Sequence, residues 1–593
     1  MVQERESFVK LHEAPFGRAG SYWAFFMGDV AEQSFGLGEL YLGTSRGTAS
    51  TMERNKLMRI NPLWKGIEIP YAVTTTPYEL IIDTDHGTAR ICIAEPGLIR
   101  IHTDGEISLQ FYSDMFHCGD LHENTRDMYD GTWTVFYAAI SNWLLVPVKG
   151  TLTMDAPWDW KMTMSKYVRA VFSPEGSDGM EIAIEEQVDY EDFRRPEYPS
   201  YEESVQMVKD DFDSFCAKIP EFKNPLYESV RAKAAWIVWS HIVNPSRIVK
   251  SRMIMMMHIY MAHCSGWQQA THAACLSDNM ELSRELIKNM YYHQGEDGQL
   301  ADVVLDSWAH MKAGKPPFQG FALLWLMEHR DFRATFTDAD IEFLYEHISK
   351  QIAWIRAHRV MPGHILPFFG NPDESGWDDA TVYLENCQMI TPDIVTYFIL
   401  LLEAESRLAG LLGRTDDEKY WKDSADEVLH EMITKMWNGK QFNALVPNTE
   451  EVFETESLCC YQPILLGKRL PQDIIDKMAE DLSVEGDFLT PYGVASEKLS
   501  SPYVNVYTGW VAGPVIAPMQ LQIAVGLAEA GKTELSKTVA NRYCTTLAKG
   551  GFYHINNPFT GHGMDKGRDG VLHQHQTSWS ATIFLMLAGH YCD

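Results

Sequence analysis

The sequence predicts a multidomain α+β protein. An N-terminal antiparallel β-sandwich-like domain is expected over residues 1–195, a helical linker over 196–225, and a C-terminal (α/α)6 barrel over 226–593. Three observations carry this reading. At 593 residues the chain exceeds one ordinary domain. Its first third alternates short β-rich runs with regular turn signals. Near "YEESVQMVKDDFDSFCAKIPEF" the hydrophobic period turns helical and stays so to the end.

The strands come first. "YELIIDTDHGTARICIAEPGLIRIHTDGEISLQFYS" breaks at DHG, EPG and TDG, and "YVRAVFSPEGSDGMEIAIEEQ" reads as a hairpin around a Gly-containing loop. Short strands at this spacing favour a sandwich. The helical candidates follow at 226–244, 266–277, 280–293, 318–330, 338–358, 392–413, 417–437, 472–482, 509–531, 533–548 and 574–590, with little strand among them. "TYFILLLEAESRLAGLLG" and "FALLWLMEH" are apolar nearly all round, as inner helices shielded by outer ones would be. Such a series makes a toroid of two concentric rings. The loops between the helices are rich in Gly, Pro and Trp, and loops on a rigid scaffold are where function concentrates.

Composition excludes several partners. There are 81 acidic against 50 basic residues, a net charge of -31, which repels nucleic-acid phosphates and anionic lipid surfaces. "MVQERESFVKLHEAPFG" lacks a basic segment followed by an apolar one, and no window is apolar enough to span a bilayer, so a cytoplasmic protein is expected. The 10 Cys are scattered, with one adjacent pair, Cys459 and Cys460, and no CxxC. They read as reduced thiols, and neither a metal nor a cofactor is expected. The methionine run "RMIMMMHIYMAHC" reads as plastic core, and Glu454 and Glu456 as solvated loop carboxylates. "GLAEAGKTE" reads as a helix end at Gly531 and not as a phosphate loop.

One stretch, "NPDESGWDDA", sets four carboxylates around Trp377. A carboxyl beside an indole in a partly dry pocket has its pKa raised, which suits a general acid. The same stretch also reads as a helix cap, with Asp378 or Asp379 preceding a helical segment. Near the C-terminus, "GFYHINNPFTGHGMDKGRDGVLHQHQTSWS" is unusually polar for a loop entering a helix, with His562, Lys566, Arg568, His573 and His575. It is either a hydrated loop or an anion site. His573 and His575 point apart on a helix, which argues against a shared metal ion.

"ESGWDDA" resembles the ESGWD signature of the α-glycosidases of glycoside hydrolase families 63 and 37, which include processing glucosidases, mannosylglycerate hydrolases and trehalases. "SGWQQATHAAC", "YHQGEDGQLADVV", "KPPFQGFAL", "FLTPYGVAS", "YTGWVAGPV" and "NPFTGHG" resemble further segments of those enzymes in the same order, across about residues 260–582. The resemblance implies an (α/α)6 catalytic barrel that cleaves an α-linked glycoside with inversion, with Asp378 as the general acid. It also implies that Glu374, Trp377, Trp267, Gln268, Trp510 and Trp579 shape the sugar pocket, with His573 and His575 behind the opposing group. An inverting pair needs a carboxylate base roughly 6.5–9.5 Å from the acid. Counting back from Pro558 to the family's Glu position gives His554.

Two further positions depart from the family: Gln268 stands for its Asp and Ala512 for its Arg. His554 is therefore the candidate opposing group, since a neutral imidazole can accept a proton near neutral pH. Asp565 is the nearest substitute carboxylate. A lyase, an epimerase or a phosphorylase on the same scaffold stays open, as does a carbohydrate-binding protein without turnover. The expected ligand is a small glycoside or oligosaccharide, and the oligomeric state is open.

Overall fold

The computed structural model describes residues 2–4, 6–29, 34–47, 56–114, 123–137, 140–188, 194–258, 262–311, 314–506, 510–564 and 576–592. The N-terminal part holds two large sheets, one of nine strands and one of eight. Their pairing is antiparallel except that Val2–Glu4 runs parallel to Tyr71–Thr75. Alternation positions one face inward: along Tyr167–Ser173 every second residue is buried. Buried aromatics join the strands, with Trp23 meeting Trp143 edge-on at 5.3 Å. The EPG signal forms the turn between Gly87–Glu95 and Leu98–Thr103, with Gly97 at φ +82°.

The helix Tyr201–Cys216 follows the sheets. Ser200 and Glu203 close its N-terminus as a capping box, and it packs on the strands Gly87–Glu95 and Leu98–Thr103. Beyond it the chain winds into two rings. The outer helices are Pro225–Ser240, Met280–Asn289, Asp338–His358, Thr415–Met436, Gln472–Leu482 and Thr533–Gly550. The inner segments are Gly266–Cys275, Gln319–His329, Pro392–Leu411, Leu458–Arg469, Ala517–Glu529 and Ser578–His590, and they touch in a closed circle. The rings differ as their sequences require. Every residue of Gly266–Cys275 is buried, whereas Gln472–Leu482 buries one stripe of Ile474, Ile475, Met478, Ala479 and Leu482.

Three sequence expectations shift. The inner segment Leu458–Arg469 is absent from the candidate helices. It is a 3-10 stretch with Pro463 inside and Gly467 at a non-helical φ of 57°, which hides the 3.6-residue period. The helix expected from 509 begins at Ala517, because Gly513 at φ +119° and Pro514 keep the preceding chain extended, and Val515–Ile516 pairs with Ile555–Asn556. The helix expected to reach 244 ends at Ser240, where Ile242–Val243 pairs with Met253–Ile254. Such two-residue ladders recur in the inter-helix loops.

Close packing in the inner ring depends on small residues. A Cβ on Gly320 would lie 2.4 Å from the Leu401 amide nitrogen of the neighbouring helix. Gly320→Ala is therefore expected to force the two helices apart and cost roughly 1–3 kcal/mol. Denaturant unfolding measures it, and an unchanged midpoint would contradict the packing described.

Candidate active site

Three inner segments present their N-terminal ends to a cavity of about 370 Å³, within the range of ~300–1,000 Å³ usual for small-molecule sites. Gly266–Cys275 contributes Trp267 and Gln268, Ala517–Glu529 contributes Pro518, and Ser578–His590 contributes Trp579. The loops add Trp308, Trp510, Asp302, Lys315, Asp373, Asp378, His263, His310 and His554.

Local structure explains how the "NPDESGWDDA" turn delivers one carboxylate. Asn371 caps the short helix Pro372–Ser375 by accepting from the Glu374 amide at 2.9 Å. Gly376 then turns the chain at φ +71°, and a Cβ there would sit 2.2 Å from the Trp267 ring, so only glycine lets the turn lie on that indole. Trp377 points inward, 1% exposed, and its Nε1 donates to Asp393 at 3.0 Å. Asp379 accepts from the backbone N–H groups of Trp510 at 2.9 Å and Val511 at 2.7 Å. Between these two anchored residues, Asp378 is exposed on the cavity wall. Neither aspartate caps a helix: the next one, Thr381–Tyr383, is a short 3-10 turn without a side-chain cap, and Asp379 serves the loop opposite.

The structure thus brings Asp378, His554, Trp267, Gln268, Trp510 and Trp579 to one cavity. Two expected pocket residues lie elsewhere. Glu374 is turned away, buried in an ion pair with Arg359 at 2.8 Å. Trp377 lies beneath the turn, because its indole N–H needs a buried partner and finds Asp393. His573 and His575 fall outside the described residues, as do Asp565, Lys566 and Arg568. His562 is exposed, as are Glu454 and Glu456. The methionine run is core, as expected, at Met253, Met255, Met256 and Met257, but Met256 also lines the cavity, where its sulfur accepts from Gln268 Nε2 at 3.2 Å.

The aromatic wall is built in layers. Trp267 meets Trp579 edge-on at 5.0 Å, and His554 stacks on the other side of Trp579 at 5.3 Å with planes 16° apart. Burial pushes the His554 imidazole down to about 3, so it stays neutral across the physiological range. Burial and the nearby Lys315 likewise hold His263 at about 4.

A charged cluster on this wall escaped the sequence reading. Lys315 donates to Asp373 Oδ1 at 2.9 Å and stands 3.6 Å from Asp302 Oδ1. Burial opposes the lysine's charge, but Asp302 and Asp373 outweigh it, and Asp378 adds to the same effect. Asp302 is 6% exposed, burial raises its carboxyl, and His310 Nδ1 lies 3.4 Å from it. The available signal was a lone charge in each of two apolar stretches, "QLADVV" and "GKPPF". Among the described residues no group of three or more His, Cys, Asp or Glu is arranged to hold a metal ion, and no helix is long and apolar enough to cross a membrane.

A two-ring helical toroid whose cavity joins stacking indoles to carboxylates defines a carbohydrate-active enzyme. The family model of the mannosylglycerate hydrolase MGH1-like glycoside hydrolase domain matches residues 258–580, and the chain belongs to that family. It is a glycosidase. Comparison with curated proteins gives no match. Among solved structures, the GH63 mannosylglycerate hydrolase from Thermus thermophilus in complex with glucose is 16% identical with a TM-score of 0.50, over 60% of this chain and 99% of that one. A bacterial glucoamylase complexed with acarbose is 9% identical with a TM-score of 0.55, over 99% of this chain and 94% of that one. At these identities the likeness is one of fold, and the second extends it across the N-terminal sheets.

Asp393 beneath the turn gives a test of this packing. Burial pushes its carboxyl up to about 6, above the value of about 3.9 in an unfolded chain. The unfolded state therefore releases its proton first, so the stabilising contribution is complete below about pH 4 and is lost as pH rises through about 6. Asp393→Asn should gain in Tm relative to the parent protein between pH 4 and pH 8. A constant difference across that range would show that Asp393 is not held as described.

Proposed function

We propose that the chain hydrolyses a small α-linked glycoside with inversion and that Asp378 is the general acid. One observation supports this most directly: Trp377 and Asp379 fix the turn, and Asp378 between them lies on the wall of the indole-lined cavity. Trp267, Trp510 and Trp579 offer ring faces for a sugar, and Gln268 and His554 offer polar atoms for its hydroxyls. The MGH1-like family membership supports a small glycoside over a polymer.

The water needs a base, and two groups in the cavity compete for that role. His554 is held near 3, while burial raises the Asp302 carboxyl above its ordinary value. Asp302 is thus the stronger proton acceptor of the two. We assign it the base and leave His554 as a neutral hydrogen-bonding group against the sugar. This revises the sequence expectation, because an imidazole of ordinary pKa requires solvent that the stacked, buried ring lacks.

Incubation with α-glucosides, α-mannosides, α-galactosides and α-rhamnosides, with and without phosphate, followed by NMR of the first-formed anomer, tests the reading. Inverted free sugar is expected, with kcat falling about 10²–10⁴-fold in Asp378→Asn and in Asp302→Asn and less in His554→Gln. A sugar phosphate formed only with phosphate present would replace hydrolysis by phosphorolysis. A retained anomer would remove the inverting mechanism.

A further inference from the structure

Two loops build the wall on which Asp378 stands, residues 376–381 and 510–514. They are tied directly through Asp379 and the N–H groups of Trp510 and Val511. A second tie runs through a residue outside the cavity. Thr381, three positions beyond Asp378, points its hydroxyl at Glu497, 2.8 Å from Oε1 and 2.9 Å from Oε2, and lies 2.7 Å from the Thr455 hydroxyl. Glu497 is 1% exposed. Its neighbour Ser496 holds the other loop: the Ser496 hydroxyl accepts from the Gly513 N–H at 3.1 Å, and the Ser496 N–H donates to the Pro514 carbonyl at 3.0 Å. The Ser496 carbonyl accepts from the Leu458 N–H at 2.9 Å, which joins the pair to the start of an inner segment.

Residues 496 and 497 therefore grip the acid's turn with one side chain and the Trp510 loop with the next residue. Burial pushes the Glu497 carboxyl up to about 7 against the hydrogen bonds from Thr381 and Ser501, with Glu456 adding to the rise, so a carboxyl here is costly and an apolar side chain would fill the space at less cost. A carboxyl at this cost, with both oxygens within 2.9 Å of the Thr381 hydroxyl, is consistent with a demand for a fixed acceptor. We propose that Glu497 is a positioning residue which, through Thr381, locks the 376–381 turn against the 510–514 loop so that Asp378 and Trp510 are set together on the cavity wall. The inference rests on Asp378 acting as the acid. Misplacing a catalytic group by about 1 Å costs up to ~100-fold in rate, so a tie of this kind would be visible in kcat.

Three variants of the full chain test it: Glu497→Ala and Thr381→Val, which remove the tie, and Glu497→Gln, which keeps an acceptor oxygen for the threonine. Hydrogen exchange should rise in peptides covering 376–382 and 510–514 in the first two and stay near the parent level in the inner helices. On the α-glycoside that the parent turns over, kcat should fall about 10- to 100-fold in these two with KM within about threefold, and Glu497→Gln should recover most of the rate. Unchanged exchange and kcat in folded Thr381→Val would overturn the proposal. So would equal losses of rate and Tm in Glu497→Gln and Glu497→Ala, which would mean a bulk structural role. If the parent hydrolyses no glycoside, the hydrolase reading fails, and the exchange pattern alone decides whether the tie exists.

Discussion

Helices that are buried on nearly every side leave their first-turn amides in need of partners, and this constraint organises the protein. The inner ring shows no wet face along Gly266–Cys275, and nearly none along Pro392–Leu411 or Ser578–His590. Its first-turn amides still need acceptors, and side chains such as Ser265 and Thr577 supply them. Polar residues, indoles and loop carboxylates therefore gather at the ring's end. The cavity lies at that end.

Within that cavity, chemistry depends on restraint as much as on reactive groups. The turn carrying Asp378 uses one aspartate and one tryptophan as anchors and a glycine as a flat seat on Trp267. Lys315 stands between Asp302 and Asp373 and moderates a wall that would otherwise hold like charges together. Stacked on Trp579 and buried, the His554 imidazole is shut off from solvent, which is why a residue that titrates near neutrality elsewhere stays neutral here.

Much of this was legible in the sequence. All-round apolar helices announced an inner ring, and turn signals announced the strands, because both patterns are local. The "ESGWDDA" motif named a turn that lies on the cavity wall. What escaped was decided by contacts between distant segments. Pro463 and Gly467 broke the period of a segment that the ring nonetheless needed. Trp377 looked like a stacking face until its N–H found Asp393, and Glu374 looked available until Arg359 paired with it. Asp302 and Lys315 sat in stretches valued for their motif, and nothing local said that they would meet.

One buried ionic cluster links the sheets to this cavity. Arg46, between strands of the N-terminal part, bonds Glu186 at 2.7 Å and Asp306 at 3.3 Å, and Arg247 reaches Asp306 at 3.0 Å. Asp306 belongs to the same loop as Asp302, Trp308 and His310, so a cation from the β-sheet region is tied to a loop that lines the cavity. Cut free of its sheets, the ring of helices would lose Arg46 and hold the buried Asp306 through Arg247 alone. The sheets thus place a charge on the loop that carries residues of the cavity wall.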